Sequence, residues 1–336
     1  MNGLGGETGP GGRAGGGALT ALATRLPGAR VAVLGDVMLD EYLWGTARAA
    51  PVAGSAPVIH LSQRRAAPGG AANVAAGIIG LGGLVRLGGV LGTDTNGAVL
   101  ADTLRAGGVA TDGLLTVEGR PTTTKNRILT GDKEMLRLDI EDPTPLGQRT
   151  EAKLLSWLEA NLPIVGAVVL SDYAKGTITE PLARAAIGAA MRRDVPVVVD
   201  PKATDFTHYR GATVITPTVR EAERACWIDI VDEASLHRAA TALMTQLDGT
   251  AVLITRGRDG MSLFGPHADP VHIAPTNGKA LDATGAGDTV AAAIALSLAA
   301  GGDLLDAVRL ATLAAGVVVG KFGTAVATLD DVMAAI

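Results

Sequence analysis

Five short apolar runs, each ending at or near a polar residue, limit the fold more than any other feature of the sequence. Ala29-Arg-Val-Ala-Val-Leu34 runs into Gly35-Asp36, and similar runs follow at Ala167–Leu170, Val195–Asp200, Ala212–Ile215 and Ala251–Thr255. Each is too short for a stable helix and rich in β-branched residues, which reads as a strand buried on both faces. Helical stretches at Gln148–Asn161, Glu180–Arg193 and Glu233–Leu247 separate most of them. Buried strands alternating with helices predict an α/β fold with a doubly wound, mostly parallel sheet. Ligands bind such sheets beyond the carboxyl ends of the strands, where Asp36, Asp172 and Asp200 fall.

Two segments break the alternation. Tyr42–Ser62 holds short extended pieces, and Thr122–Ile140 reads as two strands around Gly131-Asp132, with polar and apolar residues roughly alternating. Half-exposed strands inserted into an α/β domain predict a small β-sheet lid, built from about residues 41–62 and 122–141. Nine of the first seventeen residues are glycine, and such a stretch cannot bury enough surface to offset its chain entropy. Residues 1–28 are therefore expected to form a disordered tail, and 29–336 one domain whose last third, from Gly285, is helical and rich in Ala.

With only three Phe, three Tyr and three Trp, the core must come mainly from Ala, Val, Leu and Ile. A net charge of −5 argues against a general nucleic-acid or membrane-surface binder, though a local basic patch for a small anion remains open. The single cysteine, Cys226, rules out an intrachain disulfide and a Cys-based zinc site, and reads as a small apolar helix residue. No apolar run reaches the ~18–20 residues of a membrane span. The amino-terminal stretch lacks the basic start and apolar middle of a secretory signal. A cytoplasmic enzyme is expected.

The most informative segment is Leu281-Asp-Ala-Thr-Gly-Ala-Gly-Asp-Thr289, followed by the apolar stretch Val290–Ala300. Gly285 and Gly287 permit a tight turn whose amides converge where a helix begins, an arrangement that favours an anion. Asp288 then sits in the first turn, placed to take a proton from an attacking hydroxyl beside a bound phosphate. Taken alone, the segment equally allows a chain turn with Asp288 as a helix cap.

Asp282-Ala-Thr-Gly-Ala-Gly-Asp288 resembles the carboxy-terminal signature of the ribokinase-type (PfkB) carbohydrate kinases. Pro68-Gly-Gly-Ala-Ala-Asn73-Val-Ala with Gly80-Leu-Gly-Gly83 resembles their other signature, in the right order and at the right separation. The resemblance runs from about Ala29 to the carboxyl terminus and implies a ribokinase-like fold using ATP and Mg2+. It implies Asp288 as the base and the amides of Gly285, Ala286 and Gly287 as the anion hole. Asp36, Gly69, Gly70 and Asn73, with Asp40 and Asp172 from matching segments, would hold the sugar. Lys202, Asp205, Thr255, Arg256, Gly257 and Gly316 would border ATP, although Arg256 could equally pair with a surface carboxylate. Glu221 would organise hydrated Mg2+, with Thr218 standing where the family commonly has Asn.

Gly35–Tyr42, Leu170–Gly176, Asp200–Phe206 and Gly316–Thr324 are further similar to the heptose 7-phosphate 1-kinases of the family, which make the 1,7-bisphosphate for nucleotide-activated heptose. A substrate already carrying phosphate needs a second anion site, for which Lys125, Arg127, Arg137 and Lys175 are candidates. Solvated lid charge is the competing reading of the same residues. Val52 stands where those kinases carry Glu, which leaves the heptose stereoisomer and anomer open. The nucleotidyltransferase fused to some of them is not expected within this chain. Two rival functions remain: a kinase for another acceptor, such as a hexose phosphate or a nucleoside, and a non-catalytic sugar-phosphate-binding module. Few aromatic rings weaken the nucleoside, and the intact Asp288 turn weakens the module. Pairing of two copies through the lid is expected.

Overall fold

The computed structural model describes residues 12–48, 58–131, 133–266, 268–276 and 282–336. Val52 and the rest of 49–57, the first eleven residues of the expected tail, Asp132 and Leu281 lie outside the described residues.

A nine-stranded sheet runs β13 (Val271–Ile273), β12 (Met261–Phe264), β11 (Ala251–Thr255), β10 (Val214–Ile215), β9 (Val197–Pro201), β8 (Ala167–Asp172), β1 (Arg30–Gly35), β4 (Leu84–Leu91) and β5 (Ala110–Thr116). From β11 to β5 every neighbouring pair is parallel, while β12 and β13 form an antiparallel edge. From β1 the chain first builds outward through β4 and β5, then crosses back to β8 and builds the other way. The order therefore reverses between β1 and β8, the kind of point at which open α/β sheets form a ligand crevice beyond the strand ends, here Asp36 and Asp172.

Alternation along the strands divides the core in two. Val31 and Val33 of β1 join one cluster, with helices Ala71–Gly80, Ala286–Ala299 and Leu304–Val318. Ala32 and Leu34 join the other, with helices Gln148–Asn161, Glu180–Met191 and Glu233–Gln246. Helix Ala286–Ala299 is buried from Asp288 to Ser297, which explains its run of alanines. A Cβ on Gly77 would lie only 3.2 Å from that of Ala292, so small side chains bring the two helices together. No helix among the described residues is long and apolar enough to cross a membrane.

The second sheet is ordered β3 (Val58–Gly70), β2 (Val37–Arg48), β6 (Thr124–Thr130) and β7 (Lys133–Ile140). It is the expected lid, but its strands are longer than the sequence pattern indicates. β2 leaves β1 after one residue, and β3 runs directly into helix Ala71–Gly80. The lid is thus joined to the main sheet at the crevice itself.

One correction concerns the amino terminus. Residues 1–28 are not a tail throughout: Gly12–Ala23 is helical, and Leu22, Ala23 and Leu26 are buried in the first core cluster. Leu19, Leu22 and Leu26 recur at helical spacing, a signal hidden behind the glycines that precede it.

Candidate active site

The turn into helix Ala286–Ala299 needs its first glycine. Gly285 has φ +80°, and a Cβ there would lie 2.7 Å from Asn73 Nδ2. Asp288 follows in the first turn, buried, and its two oxygens are held from opposite elements. Asn73, from the helix that begins after β3, donates to Oδ2 at 2.7 Å. Tyr173, just past β8, donates its hydroxyl to Oδ1, also at 2.7 Å. Burial first and the Asp200 carboxylate second raise the Asp288 pKa to about 7, against these hydrogen bonds and Lys202. A carboxyl poised near neutrality and oriented by two donors suits a general base.

Asp200, at the end of β9, and Glu221 converge on Lys202, whose Nζ lies 3.2 Å from Asp200 Oδ1 and 3.3 Å from Glu221 Oε1. Burial opposes the charge on Lys202, but Asp200, Glu221 and Asp288 together hold its pKa above the ordinary lysine value. Its ammonium also lies 5.3 Å from the centre of the Tyr173 ring. Glu221 does double service: it closes a capping box with Thr218 at the start of helix Val219–Cys226, accepting from the Thr218 amide at 2.7 Å. Asp200 Oδ2 is buried without a hydrogen-bond partner. An unpartnered carboxylate oxygen beside a second carboxylate fits a hard, hydrated cation such as Mg2+.

On one side of Asp288 lies a cleft of about 950 Å³, lined by Thr218, Thr255, Arg256, Gly257, Ala286, Gly287 and Gly316 among others. The amide of Ala286 closes the turn onto the Ala283 carbonyl at 3.2 Å, so the expected cradle of three amides is partly engaged within the chain itself. Gly287 needs no special backbone; a Cβ there would have 4.0 Å to its nearest neighbour, and its absence leaves the cleft floor open. Arg256 donates to the Asp259 carbonyl at 3.0 Å at the surface while its Nε is buried without a partner, and it forms no ion pair with a carboxylate among the described residues.

On the other side is the lid. Asp40 of β2 is buried, with Oδ1 unpartnered and a pKa pushed up to about 6 by burial, against Arg127, Lys125 and Arg137. Gly69 leaves it room, since a Cβ there would lie 2.8 Å from Asp40 Oδ2. Gly70, with φ +55°, would place a Cβ 2.5 Å from the Asp36 carbonyl. The lid cations and Lys175 of the 173–177 loop are matched by carboxylates: Lys125 lies 3.6 Å from Asp139, Arg127 3.3 Å from Glu134, and Lys175 2.7 Å from Glu141. Arg137 forks onto Asp139 at 2.8 and 2.6 Å.

Against known proteins, residues 29–331 match the description "pfkB family carbohydrate kinase". The chain is 41% identical over 301 residues to the bifunctional protein HldE of Geobacter metallireducens, which spans 90% of this chain and 61% of that one. The chain belongs to the pfkB family of carbohydrate kinases. It is a sugar kinase. A second relative, the bifunctional protein HldE of Shewanella sediminis, is 44% identical over 310 residues, 92% of this kinase and 63% of that protein. The kinase thus spans less than two thirds of the length of these relatives. Two solved structures share its fold. Arabidopsis thaliana ribokinase complexed with ribose and ATP gives a TM-score of 0.74 at 22% identity, covering 92% of this chain and 98% of that one. Escherichia coli phosphofructokinase-2 in complex with potassium gives 0.75 at 19%, covering 91% and 97%.

Three expected site residues lie elsewhere in the kinase's interior or on its surface. Asp36 does not present a free carboxylate to a sugar: it accepts from the amides of Tyr173, Lys175 and Thr177 at 2.8, 3.0 and 3.0 Å. Its work is to shape the 173–177 loop that carries Tyr173. Asp172 accepts from the Ala174 amide at 2.7 Å and from the Tyr209 hydroxyl, away from Asp288. Asp205 is exposed and accepts from the Thr207 amide at 2.8 Å, just before the turn Thr207–Tyr209. Conversely, Tyr173 and Asp200 lie beside Asp288; the sequence gives Tyr173 no role and places Asp200 only at a strand end. Asp200 carried a signal, since it ends a strand on the ligand-binding side of the sheet.

Proposed function

We propose that the kinase transfers the γ-phosphoryl group of ATP to the anomeric hydroxyl of a heptose 7-phosphate. The observation that carries this reading is the placement of Asp288 between the 950 Å³ cleft and a lid whose cations surround Asp40. Sugar kinases of the family use ATP, and the cleft lined by Gly316 and Thr255 is suited to it. Asp40 accepts from sugar hydroxyls through its unpartnered oxygen, and Asn73 holds the base in register. Asp288 takes the proton of the anomeric hydroxyl as the O–P bond forms; the bond from the γ-phosphorus to the bridging oxygen breaks, and ADP leaves. Mg2+, held near Asp200 and through water by Glu221, would neutralise charge on the ATP phosphates. Closure of the lid limits access of water to the phosphoryl group.

Among the four cations, Lys125 and Arg127 suit the 7-phosphate best. Their side chains are 11% and 17% exposed, against 44% for Arg137, whose fork is already occupied by Asp139. The unpartnered Nε of Arg127 leaves it a donor in hand. A hydrogen bond to a charged group contributes roughly 1.5–3 kcal/mol, so Arg127→Ala is expected to raise KM for heptose 7-phosphate about ten- to hundredfold. KM for ATP should stay near the wild-type value in the same steady-state assay. An equal rise for both substrates would remove Arg127 from the sugar-phosphate site.

The lid supports pairing with a second copy. Met135, Leu136, Leu138 and Ile140 are all exposed along β7, at the open edge of the sheet. A long apolar edge strand left uncovered is a template for association. Sedimentation velocity should show a dimer for the wild type and a monomer for the double variant Leu136→Glu, Leu138→Glu. A wild-type monomer would overturn this part of the reading.

A further inference from the structure

Far along the main sheet, at its antiparallel edge, three metal-binding side chains meet that take no part in the site described above. We propose that Glu233, His237 and His272 form a site for a divalent transition-metal ion, zinc by its chemistry, that fastens the edge strand β13 to helix Glu233–Gln246.

The backbone brings them together by two simple rules. Glu233 and His237 are four residues apart on one helix and so share a face. His272 lies opposite Ser262 in the β12–β13 register, which puts both side chains on one face of the hairpin. One ligand atom from each of Glu233, His237 and His272 falls within 4.8 Å of the others. His272 Nε2 is 2.9 Å from Glu233 Oε1. On its far side, His272 Nδ1 meets the hydroxyl of Ser262 at 2.8 Å, and Ser262 is completely buried. A hydrogen bond to the second ring nitrogen orients a ligating histidine; a metal would take the place of the Nε2 proton that His272 shares with Glu233, and Nδ1–H would then donate to the Ser262 hydroxyl. The His237 ring stands edge-on to Phe264 at 5.2 Å, which limits its rotation.

Two imidazoles and one carboxylate are a zinc-type donor set; Mg2+ and Ca2+ prefer all-oxygen ligands. Three protein ligands leave a fourth position for water. The location suggests a consequence for the kinase. Met261 of β12, and Pro275 and Thr276 beyond β13, line the nucleotide cleft. An ion that clamps this hairpin to the helix would stiffen one wall of that cleft.

The test is a zinc titration by calorimetry of the full chain, stripped with chelator and free of nucleotide. One equivalent of zinc should bind to the wild type, and that equivalent should weaken by roughly tenfold or more in His237→Gln and in His272→Gln. Cobalt in place of zinc should give visible absorption bands that both variants lose. Circular dichroism and kinase activity without zinc should be unchanged in the variants, so that loss of binding is not loss of fold. Failure of the wild type to take up zinc, or equal uptake by both variants, would overturn the proposal.

Discussion

Asp288→Asn is expected to lower turnover by about 10²–10⁴-fold, the range for removal of a general base, while both substrates still bind. The amide keeps the shape of the carboxylate and still accepts one hydrogen bond, and the Tyr173 hydroxyl can rotate to accept the other. What disappears is the site that receives the proton. The pH dependence gives a second readout. With a pKa of about 7, the wild-type carboxyl is protonated and idle at lower pH, so turnover should rise with pH and level off above about 7. The variant should lose that limb. Stability should move the other way. A carboxyl whose folded pKa is raised binds more protons folded than unfolded, so its ionisation erodes stability as pH climbs from the ordinary carboxylate range to about 7. The neutral amide removes that cost, and Tm at neutral pH should not fall. Turnover within tenfold of wild type would remove Asp288 as the base; a large loss of Tm would make its role structural.

The second large effect concerns the acceptor. If Lys125 and Arg127 both bind the 7-phosphate, the same heptose without phosphate should lose roughly 10²–10⁴-fold in kcat/KM, at about 1.5–3 kcal/mol for each charged hydrogen bond. The loss should be carried by both cations, so in Arg127→Ala the two acceptors should differ less. Asp139 and, at 4.0 Å, Glu141 pair with Lys125, and Glu134 pairs with Arg127, before substrate arrives. That pairing lowers the desolvation penalty of holding several positive charges over Asp40, and a phosphate must displace it. A phosphate-free heptose used as well as the phosphorylated one would assign these cations to the lid's own stability.

Much of the architecture was legible in the chain because its cause is local. Helix Gln148–Asn161 matches its expected span, and β1, β8, β9 and β11 lie where short apolar runs predict strands. β4 and β5 were not evident, because Gly88, Gly89 and Gly113 break the β-branched pattern. Their reason is distant in sequence: a Cβ on Gly88 or Gly113 would lie 2.4 or 2.3 Å from the Trp157 ring. The site shows the same division. Asp288, Asn73 and the glycine turn sit inside sequence motifs, and the fold brings them into contact. Which of two nearby carboxylates keeps an oxygen unpartnered was not legible, since Asp36 and Asp40 are four residues apart on the same segment. Only the fold reveals that backbone amides occupy Asp36, while Asp40 keeps an oxygen unpartnered. Tyr173 likewise acts across 115 residues of sequence, a distance over which no local pattern reports.

Phosphorus NMR of a reaction containing the kinase, Mg2+–ATP and heptose 7-phosphate tests the central claim most directly. The predicted result is ADP and a heptose that retains its 7-phosphate and carries a new phosphate on the anomeric oxygen. Heptose 7-phosphate left untouched while another sugar or sugar phosphate is consumed, or a new phosphate on any other hydroxyl, would contradict it.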